Sequence, residues 1–295
     1  MKRIVKWSLI VGTVICLLGV GMITAGAMMG GGEAVVSYFG GYHGVGYWQE
    51  VWDEGPDEDG RFVSGQTDHR FDEAVSYEGI SKLAIESAIG TVELVEERRE
   101  DPNDRTVRVA RLHTRGNSRN YYEIRQDEEE LEIYFVGHSK RIRREEVESL
   151  IIYVPEGYRF RKVDLETNAG RFYAKTLYAD EAELVLRAGE ILIDSGEIAD
   201  LDVECAAGRL ECKALAGRSA NVECQAGSVD IWLAEKKDRY NYELECKTGT
   251  ITLMGEEKKR YTGLWQKKYI DYRAANQVEL ECAAGEITVN FPDSV

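Results

Sequence analysis

Leu201-Asp-Val-Glu-Cys205-Ala-Ala-Gly208-Arg-Leu-Glu-Cys212 is the phrase from which the fold of this chain is read. Apolar and polar residues alternate on both sides of the glycine, the pattern of strands with one buried and one wet side. The inward residues are odd-numbered up to Cys205 and even-numbered from Leu210, so the chain must turn between them. Glycine at the turn provides positive φ or a tight corner, and the small residue before it keeps the inside of that corner narrow.

Aligned on its glycine, the phrase returns at Gly170, Gly189, Gly227, Gly249 and Gly285, with an outlying copy at Gly90. The steps from Gly170 to Gly189, Gly208 and Gly227 are each 19 residues; the next two are 22 and 36. A fixed period near 20 with one strand-turn-strand phrase per unit predicts stacked rungs. The fold class is therefore all-β: a single-stranded β-helix or β-solenoid repeat domain.

If rungs stack in register, equivalent letters become neighbours. Cys205, Cys224, Cys246 and Cys282 share the inward slot three before the glycine, with Thr167 and Leu186 in the same slot earlier, and Cys212 lies inward on the following strand. The mixture of residues in that slot selects for size, and there is no Cys-x-x-Cys and no histidine in the repeats, so packing of buried free thiols is favoured over metal or redox chemistry. On the outward side, Glu204, Glu223, Glu245 and Glu281 stand four before the glycine, joined by Glu166 and Glu86. Asp164, Glu183, Asp202, Glu243 and Glu279 stand two residues earlier, with Asn221 breaking the column. Two files of carboxylates on one face repel by roughly 1 kcal/mol per neighbouring pair in water, a tolerable cost for a solvated face that resists aggregation. Their functional reading is weak divalent-cation binding at Glu204, Glu223, Glu245 and Glu281, or docking of a cationic partner, including this chain's own Lys258-Lys259-Arg260.

Outside the rungs the organisation is coarser. Lys2, Arg3 and Lys6 precede an uncharged apolar run over residues 7–29, long enough to cross a bilayer. The flanking cations put its N-terminus in the cytoplasm and the remainder outside. A cleaved signal peptide ending near Ala25-Gly26-Ala27 is the rival reading, and the run is longer than a signal core. The expected layout is a tip and transmembrane anchor over 1–29, a Gly/aromatic/acidic tether over 30–68, and a repeat domain over 69–295. Within the last, 95–160 reads as hairpin-rich, 161–295 as regular rungs and 255–276 as an insertion. The acidic run 53–60 lacks the ligand spacing of a calcium loop. The insertion, carrying Lys258, Lys259, Arg260 and Trp265, is a locally basic stretch and sits where the period breaks, the place for a protruding loop that meets a partner.

With 37 Lys+Arg against 53 Asp+Glu, a net charge of −16, nucleic acid is excluded as a partner class. The scattered His43, His69, His113 and His138 show no ligand spacing, and no nucleophile elbow, phosphate loop or His-Glu-x-x-His motif occurs. Every rung is alike, whereas a catalytic site needs one rung to differ, so the reading is non-enzymatic and without cofactor. A glycan-cleaving β-helix enzyme is the weaker alternative.

The anchor, the opening rung over residues 80–94, the turn Tyr153-Val-Pro-Glu-Gly157 and the Thr/Cys-x-Ala-Gly phrases together resemble a known family. It is the bacterial β-strand-repeat family of unknown function, toast-rack-like, whose members are called putative adhesins. The resemblance covers about residues 69–295 and rests on pattern, with no functional residues to carry over. It implies a β-helix-like fold, a place in the cell envelope and no established enzyme activity. Some relatives sit near envelope-stress systems, which makes a sensor acting through its membrane anchor the second reading. The cysteine-rich core and the 36-residue last step depart from the family pattern. The expectation is a single-pass membrane protein whose extracytoplasmic domain meets a cell-surface protein or glycan.

Overall fold

A computed structural model describes residues 70–71, 74–101, 103–113, 120–137, 147–255, 258–262 and 266–292. The apolar run, the tether with its acidic run, Trp265, His43, His69 and His138 lie outside the described residues. No helix among the described residues is long and apolar enough to cross a membrane. The described residues form one 21-stranded sheet.

The strands before the regular repeat are β1 (Arg70–Phe71), β2 (Val75–Tyr77), β3 (Lys82–Ser87), β4 (Thr91–Glu97), β5 (Val107–His113), β6 (Tyr122–Asp127), β7 (Glu130–Phe135) and β8 (Ser149–Pro155). The repeat runs through β9 (Arg159–Thr167), β10 (Arg171–Ala174), β11 (Leu177–Leu186), β12 (Glu190–Ile193), β13 (Gly196–Cys205), β14 (Arg209–Cys224) and β15 (Ser228–Leu233). Then come β16 (Tyr240–Cys246), β17 (Thr250–Leu253), β18 (Lys259–Thr262), β19 (Gln266–Ile270), β20 (Asn276–Cys282) and β21 (Glu286–Asn290).

One rung is a short strand after the glycine, a corner, and a long strand back to the next glycine. In β10 and β11 the inward residues Phe172, Ala174, Leu177, Ala179, Ala182, Leu184 and Leu186 are all buried. Inward parity changes between Ala179 and Ala182, where Asp180 and Glu181 both face solvent and the strand bends. Stacking is parallel and in register: Leu184 pairs with Val203, Val203 with Val222, Val222 with Leu280, and Leu280 with Leu244. Each such side chain removed from water contributes about 1.5–3 kcal/mol, enough to offset the roughly 1–2 kcal/mol of backbone entropy per ordered residue.

The last two pairings reveal an order that differs from the order in sequence. The final rung, β20–β21, lies between the β14–β15 rung and the β16–β17 rung. The glycines follow the same order, since a Cβ on Gly285 would overlap the carbonyl oxygen of Gly227, and a Cβ on Gly249 would sit against that of Gly285. This close approach is what demands glycine in the file. Positive φ holds at Gly90, Gly189 and Gly208 but not at Gly170, Gly227, Gly249 or Gly285, so of the two corners expected, positive φ or a tight turn, the first applies to only part of the file.

The insertion also departs from expectation. β18 pairs antiparallel with β17, and β19 antiparallel with β16, so the described part of the insertion lies along the far edges of the β16–β17 rung. Tyr261 and Ile270 pack against the core from this end. The opposite end is built from the stretch read as hairpins. β6 and β7 are a hairpin and β5 pairs antiparallel with β8, yet β7 and β8 themselves stack parallel on β3 and β4 as a further rung. There Glu148, fully buried, accepts hydrogen bonds from the Tyr121 and Tyr122 amides (2.7 and 3.1 Å) and from Arg111 Nη1 (2.9 Å). The Tyr122 hydroxyl and Ser87 Oγ, 2.7 Å apart, close the inward file beside the glycines.

Candidate functional site

Long strands make one face of the stack, and alternation forces every second residue outward. One outward file runs Tyr134, Glu86, Glu166, Val185, Glu204, Glu223, Glu281, Glu245. Its neighbour runs Glu132, Ala84, Asp164, Glu183, Asp202, Asn221, Glu279, Glu243. Stacking thus brings the predicted carboxylates together, with Val185 as an interruption and Glu281 placed ahead of Glu245. The files are lines, and among the described residues no three potential metal ligands converge on a point. Glu204, Glu223, Glu245 and Glu281 therefore have at most two file neighbours each.

Cations neutralise the ends of the face. Lys162 Nζ lies 2.8 Å from Asp164, Arg187 Nε 3.3 Å from Glu166, and Arg125 Nε 2.9 Å from Glu132. At the other end Lys247 pairs with Glu281, and Lys267 Nζ reaches Glu243 at 2.5 Å and Glu245 at 3.8 Å. The Lys267 hydrogen bond holds the Glu243 carboxyl below its ordinary range. In the middle, Asp202, Glu204, Glu223 and Glu279 are exposed and no described cation is in ion-pair reach; Asn221 Nδ2 donates to Asp202 at 2.9 Å. The insertion does dock on the carboxylates, but through Lys267. Lys258, Lys259 and Arg260 are exposed on the other side, where Arg260 lies 3.9 Å from Glu286.

One place on this face differs from the rest. Ala84 puts a methyl group where neighbouring rungs have Glu132 and Asp164, leaving an open depression of about 400 Å³. Glu86, Glu166, Glu183, Arg125 and Tyr134 also line it. The small residue in the outlying Gly90 rung was the signal available in the sequence. The lining holds no serine, cysteine or histidine, and its carboxylates stand side by side on one sheet face rather than across a cleft, unlike the facing pair of a glycosidase.

The short-strand face has a file in which charges of opposite sign meet. Arg171, Glu190 and Arg209 succeed one another in one file, with Arg171 Nε 2.8 Å from Glu190 and Arg209 Nη1 3.8 Å from it. Lys213 Nζ sits 2.8 Å from Glu211, and Tyr173 donates to Asp194 at 2.8 Å. On the same side Glu93 stands between Ile151 and Tyr173 and is buried, which pushes its carboxyl up to about 7. Nothing in the rung phrase singled out Glu93, because its slot is outward in every copy.

Residues 159–290 match the Toastrack DUF4097 family, from the first residue of β9 to the last of β21. This stretch is a Toastrack domain. The match takes in less than half of the 295-residue chain and leaves the Gly90 rung and the strands around it outside. Comparison with curated proteins finds no match. Among solved structures, the chain is similar to a "putative cell adhesion protein" of Clostridium sporogenes at 13% identity, covering 77% of this chain and 100% of the other, with a TM-score of 0.40. A "putative adhesin" of Bacteroides fragilis matches at 10% identity over 75% and 97% of the two chains, TM-score 0.37. One of Parabacteroides distasonis matches at 10% over 78% and 99%, TM-score 0.35. Likenesses this distant carry no argument about what the Toastrack domain binds.

Inside the Toastrack domain Cys205, Cys224, Cys282 and Cys246 stack in one file, and Cys212 lies outside it. Cys205, Cys212, Cys224, Cys246 and Cys282 are buried thiols, none of them in a disulfide among the described residues. Cys224, Cys246 and Cys282 each donate a thiol hydrogen bond to the carbonyl of their own corner glycine, at 3.0–3.2 Å.

Proposed function

We propose that this chain is a non-enzymatic protein of the cell envelope, held by the apolar run over residues 7–29, whose Toastrack domain serves adhesion through its long-strand face. The observation that carries the reading is the uncompensated middle of that face. Cations neutralise carboxylates at both ends of the files and at Glu190 and Glu211 of the short-strand face, yet among the described residues Asp202, Glu204, Glu223 and Glu279 stay exposed with no cation in ion-pair reach. A row of like charges spaced by one strand is complementary to a cationic cell-surface protein or an amine-bearing glycan, and long-range attraction of this kind raises the rate of encounter.

The test is a pull-down of cell-wall and membrane components by the purified domain, beside an Asp202→Asn/Glu204→Gln/Glu223→Gln/Glu279→Gln variant. Capture of a basic component that weakens with salt and disappears in the variant is the expected result. Equal capture by both proteins removes the face from the account. Reporter fusions at the two termini test the anchor separately, with the C-terminal reporter expected outside the cytoplasm.

A further inference from the structure

The cysteine file is a row of sulfurs rather than a cage. Across adjacent strands Cys205 pairs with Cys224, Cys224 with Cys282, and Cys282 with Cys246. Each sulfur leans the same way along the stack: Cys205 Sγ fills the space a Cβ on Gly227 would need, Cys224 Sγ that of Gly285, and Cys282 Sγ that of Gly249. A repeated lean keeps neighbouring sulfurs about one strand spacing apart, ~4.8 Å.

That spacing decides which chemistry fits. A disulfide needs its sulfurs at about 2.05 Å, which the rung spacing opposes. A tetrahedral zinc site needs ligands on several sides, and a row supplies two. Two bonds in line, each near the ~2.3 Å of a zinc–thiolate bond, span ~4.6 Å, and thiolate is the ligand type that selects Cu(I).

We propose that the reduced cysteine file binds a soft monovalent metal ion, Cu(I) being the biological member of that class, in two-coordinate fashion between adjacent rungs, with Cys224 and Cys282 as the central pair. Each ion displaces two thiol protons to solvent and leaves a bis-thiolate complex of charge −1, with no change of oxidation state. The protons are dispensable. Cys224 and Cys282 donate to the carbonyls of Gly227 and Gly285, which already accept the amides of Glu286 and Thr250 at 3.0 Å. The way to solvent is short along the chain, because Cys205, Cys224 and Cys282 stand within two residues of the exposed corner residues Ala207, Gln225, Ala226 and Ala284. Cys212 lies outside the file, beside Ile193 and Ile231, and burial pushes its thiol up to about 12.

The experiment uses the reduced full chain, Cu(I) delivered under anaerobic conditions from a competing chelator, and two double variants with the same number of thiols. Cys205→Ser/Cys224→Ser leaves Cys282 beside Cys246, whereas Cys205→Ser/Cys282→Ser leaves Cys224 and Cys246 two rungs apart. Wild type is expected to withdraw copper from the chelator and develop thiolate-to-copper absorption. The first variant should keep one site, and the second should lose at least tenfold in affinity. Equal uptake by the two variants, or none by wild type, overturns the proposal. X-ray absorption of the copper-loaded wild type needs no variant: two sulfur neighbours per copper are expected, and nitrogen or oxygen neighbours overturn it.

Discussion

The two faces of the solenoid share a core, a rung spacing and a file of glycines, yet treat charge in opposite ways. In one file of the short-strand face the sign alternates from rung to rung, Arg171 to Glu190 to Arg209, so stacking brings opposite charges together, although the next file keeps Glu211 beside Asp230. On the long-strand face the sign repeats, Glu204 to Glu223 to Glu281, so stacking brings like charges together and the ends alone are neutralised. A repeat protein amplifies whatever stands at an outward slot: alternating letters stabilise the stack, and a repeated letter builds a field.

The comparison breaks most severely at the corner both faces share. Gly285→Val forces a side chain against the Gly227 carbonyl and should cost more than about 3 kcal/mol in urea unfolding, with both faces lost together. Unchanged stability would contradict the placement of the last rung. Next comes Glu93, the buried carboxyl of the short-strand face. Its native pKa of about 7 lies above the ordinary 4.5, so between these values the folded state holds more protons than the unfolded one. Stability should be full below pH 4.5 and fall by about 3 kcal/mol as pH rises through 7. Glu93→Gln should flatten that part of the pH profile, and a profile identical to wild type would remove Glu93 as its source.

Single charge reversals then set the faces against each other. Glu190→Lys leaves three cations in a file and should cost about 1 kcal/mol, whereas Glu204→Lys relieves a run of carboxylates and should be neutral or stabilising by a few tenths. Thermal melts that move both variants in the same direction would erase the distinction between the faces. The smallest effect is collective. Raising salt should stabilise wild type by a few tenths of a kcal/mol through screening, and a Glu204→Gln/Glu223→Gln/Glu245→Gln variant should respond less. If added calcium shifts the wild-type melting temperature but not that of the variant, the file is a cation site after all.

Much of the fold was legible because its rules are local. Alternation marks Val203 and Cys205 as inward and Glu204 as outward, and the 19-residue step makes Leu184 the neighbour of Val203. The carboxylate files followed from the same letters. What escaped was whatever depends on which rung meets which. Val185 and Ala84 occupy the acid slots by the same count from the glycine, whereas the basic insertion read as a protruding loop because nothing in its composition says that Lys267 lies across Glu243 and Glu245.

The chain's own letters determined the rung, its buried slots and the glycine at its corner, since each is fixed within a dozen residues by strand pleat and turn geometry. Only the tertiary structure decided the order of the stack. Every rung offers two chemically similar edges, and sequence cannot say which one the next rung will take. Here β18 and β19 double back antiparallel along the far edges of the β16–β17 rung. The near edge alone remains for β20–β21, which therefore enters between its predecessors and brings Cys282 between Cys224 and Cys246.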